Sequence, residues 1–373
     1  MSIWYNHIRV NIAKNNLAAN FALIRSRAAN PVPIIKSDAY GHGLKEVARI
    51  YWQAGARTMA AGTVGECAVL KEVLPAVQAV SLLGPVDEAD YALACRLGIL
   101  SFVGTQEQLV RLEESGRRLG LTVPVALKFD TGMARLGFDA GQAAVLADVL
   151  HGLEHIRPVW ACSHLATADD PGQEDYVREQ GERFMSILGA LSARGVKVLG
   201  SLANSGAILG YPELHHDVQR PGISLYGCNP FYQTAWADRG LGLHQAMTVT
   251  APVVQVRSLT IGQTVSYGRT FTADKPMRIA IVAAGYADNY SRGLSGTGQM
   301  LVQGRRSRIL GRVCMQLTAV DVSHLSQVQP GDEAVLLGGT GSEAITAEEV
   351  AHWWGTIPYE VFCLMGQNPR QYS

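Results

Sequence analysis

Short apolar runs alternate with longer amphipathic stretches through the first two-thirds of the chain. Residues 106–119 and 174–194 carry apolar side chains at helical spacing, which predicts two amphipathic helices. Eight apolar runs of strand length separate such stretches: 32–36, 58–62, 79–84, 99–103, 122–129, 157–163, 198–203 and 218–225. Eight β–α alternations within about 200 residues favour an N-terminal parallel (β/α)₈ TIM barrel over an open sheet.

The pattern changes after about residue 240, where strand-length runs follow one another with turn residues between them. These runs are 248–257, 278–284, 300–303, 308–314, 317–322 and 333–337. One helix is predicted over Thr346–Trp354, because Thr346 is a capping residue and two glutamates follow it. We therefore expect a barrel over residues 1–238 and a mostly-β C-terminal domain over residues 239–373.

Composition narrows the class of protein. The 373 residues are 47% hydrophobic, and 32 Lys and Arg balance 32 Asp and Glu, so neither nucleic acid nor a membrane surface is an expected partner. The six cysteines are scattered without a CxxC pair, which is typical of free thiols in a reducing compartment. No signal-peptide pattern or long apolar span is present, so a cytoplasmic location is expected, and no metal site is predicted.

Polar residues cluster at the carboxyl ends of the predicted barrel strands, where barrels carry their chemistry. They are Lys36, Lys128, His164, Asn204, Ser205 and Arg220. Lys36 closes a buried strand, where burial favours a neutral and therefore nucleophilic amine that can form a Schiff base with an aldehyde cofactor. A lysine whose charge reaches solvent at the barrel rim is the alternative interpretation.

Nine motifs, in order along the chain, carry a resemblance to one known family. The segment PIIKSDAYGHG, which contains Lys36, resembles the cofactor-lysine signature of alanine racemases, whose usual form is K-A-N-A-Y-G-H-G. The others are LKFDTGMARLG at 127–137, SHLATAD at 163–169, ANSGA at 203–207, RPGISLYG at 220–227, VSYGRTF at 265–271, GYAD at 285–288, GRVCM at 311–315 and PYE at 358–360.

The resemblance implies a pyridoxal 5′-phosphate enzyme that interconverts L-alanine and D-alanine. It implies a head-to-tail homodimer in which both active sites are shared between subunits. Racemisation needs one base on each face of the substrate Cα. Lys36, which also binds the cofactor, and Tyr267 from the partner subunit are the implied pair.

The resemblance also assigns supporting roles. Arg220 faces the pyridine nitrogen of the cofactor, and His164 and Arg220 lead by hydrogen bonds towards Tyr267. Arg135 and the backbone of Met315 bind the substrate carboxylate, and Lys128 is carbamylated in many relatives. The residues implied around the cofactor, mostly at its phosphate, are Tyr40, Asn204, Ser205, Gly222, Ile223 and Tyr359, and those implied at the entrance are Tyr286, Cys314 and Gln316.

The chain departs from the family pattern at two places. Gln316 stands where C-M-D is usual, which replaces a carboxylate with an amide beside the substrate-carboxylate site, and Ser37–Asp38 replaces Ala-Asn. On residues alone, other interpretations stay open: a hairpin aromatic for Tyr267, a rim ion pair for Arg220, a helix cap for Asn204–Ser205 and a surface-loop aromatic for Tyr286.

Three alternative functions share parts of this pattern. A serine or broad-spectrum racemase shares Lys36 and Tyr267, and Gln316 leaves room for it, although Cys314 favours the alanine type. A decarboxylase-like enzyme is expected to place an acid at the ring nitrogen, against which Arg220 argues. A non-enzymatic cofactor-binding barrel would lack the β domain. A role in cell-wall supply and one in alanine catabolism both stay open.

Overall fold

A computed structural model describes residues 6–373, and Met1–Tyr5 lie outside the described residues. The chain divides into two units. One unit comprises residues 17–39 and 44–243, and the other comprises residues 40–43, residues 244–373 and the described residues up to Asn16.

Seventeen strands are described, most of them four residues or longer. They are β1 Arg9–Ile12, β2 Thr58–Ala61, β3 Gln78–Ser81, β4 Leu100–Val103, β5 Val123–Asp130, β6 Phe138–Asp139, β7 Ile156–Cys162, β8 Leu199–Ser201, β9 Met247–Leu259, β10 Thr264–Val265, β11 Phe271–Thr272, β12 Met277–Val282, β13 Gln299–Val302, β14 Arg305–Arg308, β15 Thr318–Asp321, β16 Glu333–Leu337 and β17 Arg370–Tyr372.

Eleven α-helical segments are described as well. They are α1 Lys14–Arg27, α2 Lys36–Tyr40, α3 Leu44–Gln53, α4 Val64–Val73, α5 Glu88–Leu97, α6 Gln106–Leu119, α7 Ala143–Leu150, α8 Glu174–Ala193, α9 Ser205–Gly210, α10 Ala347–Trp354 and α11 Pro358–Met365. Within residues 6–373, no helix combines the length and apolar character that crossing a membrane requires.

The first unit is the expected (β/α)₈ barrel. Strands β2, β3, β4, β5, β7 and β8 form a parallel sheet in that order. Residues 31–35 close it: Ile35 N donates to Ala60 O (2.8 Å) and Val32 N donates to Gln219 O (2.8 Å). Arg220 N in turn donates to Ala203 O (2.8 Å), just beyond β8. The strands are buried on both faces, which explains their uninterrupted apolar runs.

The second unit is the expected β-rich domain, and it draws on both ends of the chain. Its long strand β9 pairs with β1, β12 and β16, and β1 also pairs with β17. Val10 and Ile12 of β1 are fully buried, so the N-terminal strand contributes to this core. This unit therefore includes β1, which precedes the barrel in sequence.

Most predicted elements are found within a few residues, including both long barrel helices and the helix after Thr346. Three strand predictions were wrong in part. Residues 32–36 form only a bridge at Ile34 before the chain turns at Lys36, and residues 223–226 form a 3₁₀ helix. The run 308–314 ends its pairing at Ile309, because Gly311 turns the chain with φ 70°.

Candidate active site

Lys36 begins a left-handed turn at the end of the first barrel segment. Ser37, Asp38 and Ala39 have φ of 53°, 53° and 55°, and Tyr40 has φ 53°. Left-handed conformation costs residues with a Cβ about 1–2 kcal/mol each, so neighbours must hold this turn. Asp38 Oδ1 accepts from Leu44 N (2.7 Å), and Asp38 N donates to Glu66 Oε1 (3.2 Å).

Buried hydrogen-bonding groups of Ser205, Gly222 and Ser224 lie together beside the segment that leads to Lys36. Ser205 Oγ accepts from Gly222 N (2.8 Å) and Ser224 Oγ (3.0 Å), and all three residues are buried. Ile34 N donates to Pro221 O (3.0 Å), which places this loop two residues from Lys36. Asn204 is half-buried and caps α9 through Ala207 N (3.0 Å), so the helix-cap interpretation of Asn204 holds.

Arg220 is a buried guanidinium held by neutral oxygens. It donates to Ser201 Oγ and Ser163 O, and to Leu202 O at 3.4 Å. Burial lowers the pKa of Arg220. These hydrogen-bond partners include no carboxylate, so they do not form the rim ion pair that was the alternative interpretation. The guanidinium therefore lies at the carboxyl ends of two neighbouring strands, β7 and β8.

His164 follows β7 and lies in a cationic environment. Burial lowers the pKa of His164 well below its ordinary value. The positive charges of Arg220, Lys128, Arg135 and Lys36 lower it further, in that order. The predicted barrel residues are thus close enough to act on one imidazole, which stays neutral.

Lys128 and Arg135 lie on either side of an ordered turn. Lys128 is 8% exposed and donates to Phe129 O (2.7 Å), and burial above all lowers its pKa to about 8. Burial raises the pKa of Asp130, but backbone hydrogen bonds from Gly132, Met133 and Arg135, together with the charge of Lys128, outweigh it and leave the pKa below its ordinary value. Asp130 therefore shapes the turn that carries the exposed Arg135.

Gln180 of α8 ties two loops of the barrel together and is fully buried. Its amide donates to Thr131 Oγ1 (3.3 Å) and His164 O (3.1 Å), and its oxygen accepts from Ala166 N (2.9 Å). Thr131 Oγ1 bonds in turn to Ser163 Oγ (2.8 Å), next to the carbonyl that Arg220 contacts. Gln180 therefore fixes the loop that presents His164.

In the β-rich unit, Tyr267 lies next to the loop that carries Cys314 and Met315. Ser266 Oγ donates to Arg312 O (2.6 Å) and lies 3.2 Å from Cys314 Sγ. Tyr267 is 70% exposed and is followed by Gly268 with φ 72°. The hairpin setting is therefore present, and the phenol is accessible on this chain.

Tyr286 is joined to the same loop by backbone hydrogen bonds. Tyr286 N donates to Cys314 O (3.1 Å) and Ala287 N donates to Met315 O (2.9 Å). A Cβ on Gly285 would lie 2.3 Å from Cys314 O, so only glycine permits this approach. Gln316 is exposed, and its side chain hydrogen-bonds to the buried carboxyl of Asp288.

Tyr40 and Tyr359 also lie together in the β-rich unit. Their ring centroids are 5.8 Å apart. Burial raises the pKa of Tyr40 well above its ordinary value, and Tyr359 and Cys363 add to the rise. The phenol of Tyr40 therefore stays protonated and can donate a hydrogen bond.

In the β-rich unit the predicted residues thus form two sets, the adjoining loops that carry Tyr267, Tyr286 and Cys314 and the pair of Tyr40 and Tyr359. Glu66, Gln180 and Ser224 also contact the predicted barrel residues or their loops, and no sequence pattern predicted them. Thr63-Val64-Gly65-Glu66 carries a capping-box signature, but a cap does not predict the contact with Asp38. Gln180 interrupts the apolar face of its helix, which was the available signal.

Comparison with known proteins places these residues in a family. Residues 12–230 match the N-terminal domain model of alanine racemase, and residues 246–372 match the C-terminal domain model. An alanine racemase of Nitratidesulfovibrio vulgaris (strain Miyazaki F) is 53% identical over 371 residues, which cover 99% of each chain.

Solved structures give the same result. The alanine racemase of Streptomyces lavendulae is 32% identical with a TM-score of 0.91, and the match covers 99% of this chain and 97% of that one. The alanine racemase of Bartonella henselae, solved with covalently bound pyridoxal phosphate, is 28% identical with a TM-score of 0.88, covering 98% and 99% of the two chains. The chain belongs to the alanine racemase family.

Proposed function

We propose that this chain interconverts L-alanine and D-alanine with pyridoxal 5′-phosphate as its cofactor. The observation that carries this proposal is that Lys36, Lys128, Arg135 and Arg220 all lie near enough to the buried His164 for their charges to lower its pKa, beyond the larger effect of burial. These residues lie at the carboxyl ends of the barrel strands, where barrel enzymes bind their substrates.

The barrel residues fit the proposed cofactor. The buried hydroxyl of Ser205 accepts hydrogen bonds from Gly222 N and Ser224 Oγ, and its own O–H group can donate to a phosphate. Ile223 begins the 3₁₀ helix that follows Gly222. Lys36 is two residues from Ile34, whose N–H donates to Pro221 O of the same loop. Tyr40 and Tyr359 are the proposed phenol donors.

When bound, pyridoxal 5′-phosphate supplies an electron sink for the pair left at Cα when a proton is removed. Lys36 Nζ takes or returns that proton on one face of the substrate. Tyr267 of the partner subunit does so on the other face, since a single base cannot exchange the proton between two faces. Arg220 would donate a hydrogen bond to the pyridine nitrogen of the cofactor and, as a permanent cation, would not accept a proton from it.

The substrate carboxylate is bound by Arg135 and by the backbone of Met315. Asp130 orders the turn that carries Arg135. Lys128, with a pKa of about 8, has an appreciable neutral fraction near neutral pH, and a neutral amine can add CO₂ with loss of a proton. We propose that Lys128 is carbamylated and that the anion orients Arg135. A mass increment of one CO₂, lost in acid, tests this step, and its absence from the intact protein would contradict it.

A homodimer is part of the proposal. Tyr267, Met315, Leu317 and Tyr286 are 70%, 57%, 44% and 43% exposed on the single chain. These apolar side chains belong to adjoining loops, and a patch of this kind is typical of an interface. A second subunit would cover them and bring Tyr267 to a barrel site.

The test is D-enantiomer formation by the purified, cofactor-loaded protein from L-alanine, with L-serine and L-lysine as comparison substrates. We expect alanine to be converted much faster than the other two. Lys36→Ala should lower kcat for alanine by at least about 10³-fold, because both cofactor attachment and one base are lost. A wild-type protein that forms no D-alanine would contradict the proposed function.

A further inference from the structure

The left-handed turn after Lys36 is supported by a carboxylate from the next β–α unit. Glu66 Oε1 accepts from Asp38 N (3.2 Å), in the middle of the strained turn. Glu66 is half-buried and lies close to the lysine. A Cβ on Gly62 would lie 2.8 Å from Glu66 Oε2 and 3.4 Å from Lys36 Cβ.

The two oxygens of Glu66 have separate partners. Oε2 accepts from Gly62 N (2.8 Å) and Thr63 N (3.2 Å), and Thr63 Oγ1 accepts from Glu66 N (3.1 Å), which completes the capping box of α4. Oε1 reaches out of the helix to Asp38 N. A capping box requires only the first set of bonds, so the second is an additional connection between α4 and the lysine turn.

We propose that Glu66 is a positioning residue for Lys36. Its carboxylate holds the left-handed turn and thereby fixes the direction in which the lysine enters the site. This inference rests on the proposed function, in which Lys36 must reach both cofactor and substrate. Asp38 contributes a second restraint through Leu44 N at the start of α3, but that bond joins residues close in sequence, whereas Glu66 connects the turn to the next β–α unit.

Two single substitutions separate the roles of the two oxygens. Glu66→Gln keeps one oxygen for the two amides of the cap and turns an NH₂ group towards the N–H of Asp38, so it breaks the connection to the turn. Thr63→Ala weakens the cap and leaves the carboxylate in place. The measurements are Tm, kcat and KM for L-alanine, and the Kd for pyridoxal 5′-phosphate of the protein after the cofactor has been removed and added back.

We expect Glu66→Gln to lower kcat about 10- to 100-fold with little change in KM, because misplacing a catalytic group by about 1 Å has effects of this size. The Kd for the cofactor should rise as well. Thr63→Ala should lower Tm by about 2 °C and leave kcat and the cofactor Kd near wild type. Equal kcat and Kd in Glu66→Gln and wild type, or the same losses in Thr63→Ala, would overturn the proposal.

Ser37→Gly in the Glu66→Gln background provides a second test, which also serves if Glu66→Gln folds poorly. Ser37 is exposed, and glycine adopts its φ of 53° without a steric penalty. The double variant should regain part of the lost kcat and cofactor affinity, and no recovery in either would count against a role in holding the turn. If the wild type forms no D-alanine, the proposed function fails, and the cofactor Kd of the same variants still decides the role of Glu66.

Discussion

Lys128 and Arg220 are both buried cations of the barrel unit, but they differ in their hydrogen-bond acceptors and in whether they keep their charge. Arg220 keeps its charge because hydroxyl and carbonyl oxygens accept its hydrogen bonds. Lys128 has Phe129 O as its acceptor (2.7 Å), and its pKa falls from 10.5 to about 8. A fall of that size corresponds to about 3 kcal/mol against the charged form, so an unmodified Lys128 destabilises the fold at neutral pH.

The stability of the unmodified protein should therefore depend on pH through Lys128. Between pH 8 and pH 10.5 the unfolded chain binds more protons at this residue than the folded chain, so the free energy of unfolding rises with pH across that window. Lys128→Met should remove this rise and be more stable than wild type at pH 7, by up to about 3 kcal/mol. The measurement is urea unfolding at pH 7 and pH 10 in CO₂-free buffer.

Lys197→Met, at an exposed position of the same unit, is the matched control and should keep the wild-type difference between the two pH values. A Lys128→Met protein with the same pH dependence as the control would show that Lys128 is not the source of it.

Helix α8 illustrates how one element positions two others. Its apolar residues pack into the barrel unit. The side chain of Gln180 is fully buried, and both its NH₂ group and its oxygen form hydrogen bonds with the loops after β5 and β7. Those loops carry Arg135 and His164. Through these hydrogen bonds the helix restrains the loops that carry residues of the proposed site, although Gln180 is not itself one of the proposed site residues.

Gln180→Leu should destabilise the protein by about 2–3 kcal/mol, because Ala166 N and His164 O lose their partner in a buried setting. Urea unfolding measures the change. Met185→Leu on the same helix is the control: Met185 is 57% exposed, so its substitution should change stability by no more than about 0.5 kcal/mol. Equal stability of the two variants would mean that the Gln180 hydrogen bonds contribute nothing net.

At the scale of the whole molecule, the proposed site needs residues from two subunits. Lys36 belongs to the barrel unit, and Tyr267 is an exposed residue of the β-rich unit. In a head-to-tail dimer each site combines Lys36 of one chain with Tyr267 of the other. Two chains with different single defects then contain all the parts of one intact site.

Co-expression of Lys36→Ala and Tyr267→Ala chains should therefore restore activity that neither variant has alone. Random pairing makes half of the dimers mixed, each with one intact site of two, so about a quarter of wild-type activity is expected. The D-alanine assay measures it, with each variant paired with itself as the control. Mixed dimers without activity would show that Tyr267 does not act across the interface.

The sequence by itself determined the barrel, the β-rich domain and the family, because hydrophobic periodicity and ordered motifs are local properties of the chain. It also placed Lys36, His164 and Arg220 at one end of the barrel, since parallel strands bring their carboxyl ends to the same edge. These predictions depend on spacing along the chain and not on which distant residues meet.

Only the tertiary structure decided what depends on distant contacts. The left-handed turn at Ser37–Ala39 has no glycine to predict it and is held by Glu66, 28 residues away from Asp38. The pKa of Lys128 falls because β5 is buried between its neighbours. The N-terminal strand β1 joins the β-rich unit because it pairs with β9. No pattern within residues 9–12 predicts that pairing. Strain, desolvation and strand pairing are all set by groups remote in sequence, and a sequence pattern does not encode them locally.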